Sequence, residues 1–225
     1  MTALAVRRFP SRTALDEALA ERLTRTIAAP STSALMLAGG ESPLPAYRTV
    51  SARVPAHTAR LRILYSDERY VPADAAASNY RRARVLTDAL ALPAGGVLRV
   101  RTELPLAEAA ADYERTLSAL LATGVRATLG LLGLGADGHT ASLFSAADLE
   151  RAEGRLAIAV SRPDGMRAVS VTPRFLASVA ELLFVIAGPG KEEALARLAA
   201  GDPQLIAWRA VQECASVAAW VDATP

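Results

Sequence analysis

The stretch Gly133-Leu134-Gly135-Ala136-Asp137-Gly138-His139-Thr140-Ala141-Ser142 holds the densest chemistry of this chain. Its glycines spell G-x-G-x-x-G, the spacing that wraps a dinucleotide pyrophosphate. The same turn also carries an aspartate and a histidine. An imidazole with an ordinary pKa of about 6.5 accepts a proton at neutral pH, so acid–base catalysis is the competing reading. Two features weigh against a dinucleotide. The loop lies mid-chain rather than in the first βαβ unit, and no acid closes the next strand: Ser161-Arg162 follows Val160, and Asp164 comes after a proline. His139 is therefore the candidate general base, with Asp137 beside it. The second of the two histidines, His57 in Val54-Pro55-Ala56-His57-Thr58, reads as exposed loop.

Three further loops carry polar or glycine-rich chemistry. In Gly39-Gly40-Glu41-Ser42-Pro43, the glycines let the backbone turn tightly and present N–H groups. Ser42 is a suitable N-cap and Pro43 a suitable first helical residue. A helix starting there would make Gly39, Gly40 and Ser42 an anion site. Asp67-Glu68-Arg69 puts three charges at a strand end, where burial demands pairing or a ligand. The planar fork of Arg69 suits a phosphate, and Asp67 is a candidate binding residue beside it. Gly188-Pro189-Gly190-Lys191 precedes a helix near Glu192, so Lys191 can face an anion held at that turn. It is not a Walker A loop, because Glu192 follows the lysine. One compact phosphate fits this loop; a nucleoside triphosphate does not.

These loops need elements to position them. Strand-like apolar runs cover Ala34–Ala38, Leu61–Tyr65, Val97–Val100, Thr128–Leu132, Leu156–Val160, Ala168–Thr172, Leu182–Ala187 and Val217–Val221. Helical patterns cover Ser11–Ala28, Pro43–Val50, Asn79–Ala89, Leu106–Thr123, Arg174–Val179 and Glu192–Ala199. The alternation predicts an open, mostly parallel Rossmann-like α/β sheet with helices on both faces. No linker or repeat interrupts residues 1–225, which reads as one domain. In such sheets ligands bind beyond the carboxyl ends of the strands, where all four loops fall.

Composition narrows the function. There are 25 basic and 23 acidic residues, interspersed, so no block marks a nucleic-acid footprint. The densest cluster, Arg81-Arg82-Ala83-Arg84, reads as a solvated helix face. No apolar run approaches the roughly 18 residues of a membrane span. The first residues lack the pattern of a signal peptide. The single Cys214 cannot form an internal disulfide, consistent with a cytoplasmic protein. Two separated histidines and one cysteine do not make a usual zinc constellation, and the nucleophile elbow G-x-S-x-G is absent. The expectation is a site without metal, nucleotide or other cofactor.

Taken in order, the loops resemble the 6-phosphogluconolactonase family, within the wider glucosamine-6-phosphate isomerase/deaminase-like superfamily. Leu37–Pro43 resembles L-[SA]-G-G-S-T-P. Asp67–Pro72 with Ser78-Asn79-Tyr80 resembles D-E-R-x-V-P…S-N-Y. Leu132–Phe144 resembles L-G-x-G-x-D-G-H-T-A-S-L-F-P, and Gly188–Lys191 resembles G-x-x-K. The resemblance covers nearly the whole chain. Glu41 and Ser42 stand where Ser and Thr are usual, and Ser145 replaces a proline. Near Val169–Pro173 the family carries R-[IV]-[ST]-x-T; aligned on Thr172-Pro173, the arginine position is Ala168, with Arg167 one residue earlier. A one-residue shift in a strand turns a side chain to the other face.

The resemblance implies hydrolysis of 6-phosphoglucono-δ-lactone to 6-phosphogluconate in the oxidative pentose phosphate pathway. It implies that Arg69, Lys191 and the Gly39–Ser42 amides hold the phosphate, that His139 activates water, and that Asp137 orients the loop or the imidazole. The related deaminases resemble G-x-D-G-H-I-A-F-N at the histidine loop, whereas Thr140-Ala141-Ser142-Leu143-Phe144 follows His139 here. A sugar-phosphate isomerase or deaminase and a non-catalytic sugar-phosphate sensor are the alternatives.

Overall fold

The structure, a computed structural model, describes residues 4–53, 58–90 and 92–222. His57 lies outside the described residues. The elements in chain order are β1 (Ala5–Phe9), α1 (Arg12–Ile27), β2 (Ser33–Leu37), α2 (Leu44–Ser51), β3 (Leu61–Tyr65), β4 (Asp67–Arg69), α3 (Asn79–Thr87), β5 (Val97–Leu98) and α4 (Leu106–Ala122). They continue with β6 (Ala127–Leu132), α5 (Ala146–Arg151), β7 (Ala157–Ser161), β8 (Arg167–Val171), α6 (Pro173–Leu176), β9 (Leu182–Ile186), α7 (Glu192–Ala199), α8 (Ile206–Val211) and β10 (Val217–Asp222).

Seven strands form one parallel sheet in the order β1-β10-β9-β6-β2-β3-β5. Its inner strands are apolar along their length because helices cover both faces. Alternation sorts their side chains. Leu35 and Leu37 of β2 join Leu183 and Val185 of β9 against α1, α2 and α3. Ala34 and Met36 join Leu182, Phe184 and Ile186 against α4, α7 and α8. On α1, Leu15, Leu19, Leu23 and Ile27 recur every fourth residue and make one buried stripe.

The expected parallel α/β sheet is therefore present, with four departures. Edge strand β1, whose residues 5–8 are exposed, has too little apolar alternation to be read from sequence. Helices α5 and α8 are each only 6 residues, and α8 has no side-chain cap to announce it. Residues 97–100 pair only over Val97–Leu98. Strands β7 and β8 do not join the main sheet. They form an antiparallel hairpin and pair with β4 in a second, three-stranded sheet. Asp67–Arg69 is thus a short strand rather than a charged turn.

Chain direction reverses at the β2–β6 boundary. From β2 the chain moves through β3 to β5, and from β6 it moves through β9 to β10. The loops after β2 and β6 consequently part and leave a crevice, the position where ligands bind in sheets of this kind. The β3 and β9 loops flank it, so four adjacent strands deliver the four loops. The second sheet grows directly from β3: Ser66 N donates to Leu37 O, and Val171 N donates to Ser66 O.

Glu68 ties this junction to α3. Its carboxylate accepts from Asn79 N and Tyr80 N, both at 2.7 Å, at the positive end of the helix. Burial pushes the carboxyl up to about 7 despite those N–H donors. A carboxyl with a higher pKa in the folded than in the unfolded chain binds more protons when folded, so its contribution falls as pH rises through that interval. Raising the pH from about 5 to about 7 is expected to cost wild type up to about 3 kcal/mol through this group. Glu68→Gln should remove that part of the slope, as urea titrations of both proteins at the two pH values would measure.

Candidate active site

The histidine loop is built by its own hydrogen bonds. Gly135 N donates to His139 O and Gly138 N to Gly135 O, both at 3.0 Å, while Thr140 Oγ1 donates to Gly133 O at 2.8 Å. Neighbouring elements pin it: Ala207 N of α8 donates to Gly138 O, and Ser142 N donates to Ser170 Oγ of β8. Within this frame His139 Nδ1 lies 2.5 Å from Asp137 Oδ1, which also accepts from His139 N at 3.2 Å. The contact on Nδ1 leaves Nε2 as the nitrogen available to a ligand. The ring packs on Phe144 with centroids 4.4 Å apart. Partial burial raises the Asp137 carboxyl, but hydrogen bonds and charge from His139 outweigh it and hold it below its ordinary value.

At 56% exposure for Asp137 and 26% for His139, this pair adds at most about 1 kcal/mol to stability. Its consequence is orientation of the ring. Gly135 permits it: a Cβ there would stand 2.1 Å from His139 Nδ1 and 2.3 Å from Asp137 Oδ1.

His139 opens on a cavity of about 340 Å³ at the β2–β6 boundary. The size is within the usual range for small-molecule sites. Gly39, Gly40, Ser42, Asp67, Arg69 and Lys191 also line it, so the structure brings these sequence-predicted residues to one place. Asp137 does not line it and stands behind the imidazole. A larger cavity of about 570 Å³ adjoins across Lys191, walled mainly by one face of α7 and by β1, β9 and β10. It lacks the histidine, so the chemistry belongs to the smaller one.

Ser42, Glu41 and Asp67 make contacts that the sequence reading did not give them, and the first of these corrects it. Ser42 does not cap α2: the helix begins at Leu44 with Pro43 at the N-cap, and no side chain caps it. Ser42 instead gives its carbonyl to Arg12, whose Nη2 donates at 2.7 Å. Glu41 turns to solvent and pairs with Arg82 at 2.9 Å, so the acid is neutralised by a residue of the supposed solvated cluster. Asp67 spends both oxygens inside the protein, accepting from Ser66 Oγ at 2.9 Å and Ser142 Oγ at 2.7 Å. A carboxylate so engaged organises the wall of the cavity.

The cations are more numerous than the sequence suggested. Arg12 and Arg162 line the cavity beside Arg69 and Lys191. Arg69 donates to Ala77 O at 3.1 Å, while its buried Nε has no partner. Lys191 sits at the N-cap of α7; burial lowers its pKa, Asp222 opposes this, and the charge of Arg12 adds to it. It is the only lysine in the chain. Arg167 is exposed and does not line the cavity. Arg162, which does, lies just past β7 and two residues beyond Val160, a signal that needed the hairpin register to be read. Gly39 makes room for the remaining wall, because a Cβ there would stand 1.9 Å from Asn79 Cγ. Asn79 Oδ1 is buried without a partner. Among the described residues no cluster of three or more His, Cys, Asp and Glu suits a metal ion, and no helix is long and apolar enough to cross a membrane.

The arrangement combines an oriented imidazole with an excess of positive charge in a small crevice. That suits proton transfer on an anionic substrate. Gly135→Ala is expected to lower the unfolding free energy by about 1–3 kcal/mol through overpacking; a change near zero in denaturant titrations would mean that the pair moves aside freely.

Comparisons with known proteins agree in kind. A family model described as glucosamine-6-phosphate isomerases/6-phosphogluconolactonase matches residues 11–220. The chain is 36% identical over 174 residues to a 6-phosphogluconolactonase of Thermotoga maritima, covering 75% of this chain and 76% of that protein. It is 34% identical over 196 residues to a human 6-phosphogluconolactonase, covering 82% and 76%. The crystal structure of a 6-phosphogluconolactonase from Thermotoga maritima superposes with a TM-score of 0.81 at 28% identity, covering 99% of this chain and 100% of that one. A monomeric glucosamine-6-phosphate deaminase superposes with a TM-score of 0.82 at 18% identity, covering 98% of each chain, a likeness of fold alone.

Proposed function

The chain belongs to the glucosamine-6-phosphate isomerase/6-phosphogluconolactonase family, and within that family we propose that it hydrolyses 6-phosphoglucono-δ-lactone to 6-phosphogluconate, a step of the pentose phosphate pathway. The observation that carries this reading is the Asp137–His139 pair on the rim of a crevice crowded with cations. The names of its relatives support the same activity.

The residues divide the work. The 6-phosphate lies against the Gly39–Ser42 backbone, with Arg12, Lys191 and Arg69 as counter-charges. The unpaired Nε of Arg69 is a donor awaiting an acceptor. Asp137 holds Nδ1–H of His139, so Nε2 takes a proton from water as the oxygen attacks C1. The carbonyl becomes a tetrahedral oxyanion, which the cations and backbone N–H groups stabilise. On collapse the C1–ring-oxygen bond breaks, and protonated Nε2 returns the proton to the ring oxygen. A δ-lactone is already reactive, so one positioned base and a charged cradle suffice. Asp67 contributes by holding Ser142 rather than by touching phosphate.

Purified protein is expected to hydrolyse freshly generated lactone well above the spontaneous rate. Absence of turnover would overturn the reading. His139→Ala should lower kcat by about 10²–10⁴-fold, the usual contribution of a general base. Arg69→Ala should chiefly raise KM, because it removes binding to a group that does not react. The alternative with the same fold is amino-sugar phosphate isomerisation and deamination; the Thr140–Phe144 sequence disfavours it, and ammonia release from glucosamine 6-phosphate would support it.

A further inference from the structure

We propose that Arg162 contacts the substrate, delivered by the β7–β8 hairpin to the C1 end of the lactone in place of an arginine on β8. This rests on the lactonase reading above.

Strand alternation decides which arginine of the hairpin reaches the cavity. In the small sheet Arg69 stands opposite Ala168, and Ala168 opposite Val160. These side chains share a face. Arg162 follows Val160 by two residues, and its N–H donates to Met166 O at 2.8 Å, so the hairpin stays in register. Arg167 stands opposite Ser161 on the other face.

The Arg162 guanidinium is held ready. Nε and Nη2 donate to Asp164 Oδ2 at 3.1 and 2.9 Å, and Nη1 donates to Ser142 Oγ at 3.2 Å. Its carbon lies 5.2 Å from the Phe144 ring centroid, and the side chain is 11% exposed. A guanidinium has five N–H donors, so one remains on each terminal nitrogen to donate to an oxyanion or carboxylate.

The location identifies the end of the substrate. Phe144 packs against both this guanidinium and the His139 ring, whose chemistry is at C1, so Arg162 lies near the reacting end. Arg69 on β4 and Arg162 just past β7 both line the cavity from the small sheet. Arg12 binds the Ser42 carbonyl and so belongs to the Gly39–Ser42 loop, and Lys191 lines the same cavity. Arg12, Arg69 and Lys191 thus serve the phosphate, and Arg162, beside the Phe144–His139 contact, faces C1, which becomes an oxyanion and then a carboxylate.

Glucitol 6-phosphate keeps the phosphate and hydroxyls of 6-phosphogluconate but has no carboxylate. Calorimetric titration with both ligands tests the assignment. Arg162→Ala is expected to weaken 6-phosphogluconate by about ten- to a hundredfold, the range for a lost charge-assisted hydrogen bond. Glucitol 6-phosphate should change little, Arg167→Ala should change neither, and kcat/KM for the lactone should fall with Arg162→Ala. Arg162→Lys, which keeps the charge without the fork, should give an intermediate loss if the alanine variant does not fold. Equal weakening of both ligands, or of neither, would overturn the proposal. Wild type that binds 6-phosphogluconate without lactone turnover would instead defeat the lactonase reading, leaving the ligand comparison intact.

Discussion

The site depends on the contact between Asp137 Oδ1 and His139 Nδ1 at 2.5 Å. Its energy is small because the pair is partly exposed. Its geometry is decisive because a neutral imidazole can accept a proton at only one nitrogen. Aspartate on Nδ1 leaves that role to Nε2. The glycine at 135 exists in the loop because any side chain would occupy the space of the imidazole. Thr140, α8 and β8 then fix the loop as a whole, so the imidazole is presented by a rigid turn rather than a flexible one.

Around this contact the protein solves an electrostatic problem. Arg12, Arg69, Arg162 and Lys191 converge on one small cavity, and unpaired charges of one sign repel. Asp16 and Asp164 pair with two of them, at 2.8 and 2.9 Å. Lys191 has Asp222 as a more distant counter-charge. The buried Nε of Arg69 remains unpaired. This residual positive field suits a substrate with one phosphate and a carbonyl that gains negative charge. The reversal of chain direction at the β2–β6 boundary supplies the crevice, and the branching of β4 from β3 supplies its second wall.

Much of this was legible in the sequence, for physical reasons. Buried parallel strands are nearly continuous apolar runs, so β2, β3, β6, β9 and β10 stood out, and the loops at their ends could be assigned to one edge. The sequence did not disclose β1, where the arginines of an exposed edge hide the period. It did not separate β7 and β8 from the main sheet, because strand pairing is a non-local property. Arg162 was passed over for the same reason: its direction follows from register, not from neighbours in the chain. Ser42 had the right chemistry for a helix cap, yet α2 begins one residue beyond Pro43, and the Ser42 carbonyl went to Arg12.

We propose that Asp137 makes His139 a base at Nε2. With only two histidines, nitrogen-15 NMR of the imidazoles resolves this directly, and His139→Gln assigns the signals. Neutral His139 is expected to carry its proton on Nδ1, with Nε2 unprotonated, and Asp137→Asn to disturb that preference. A neutral imidazole protonated on Nε2, or a tautomer indifferent to the loss of the Asp137 carboxylate, would contradict it.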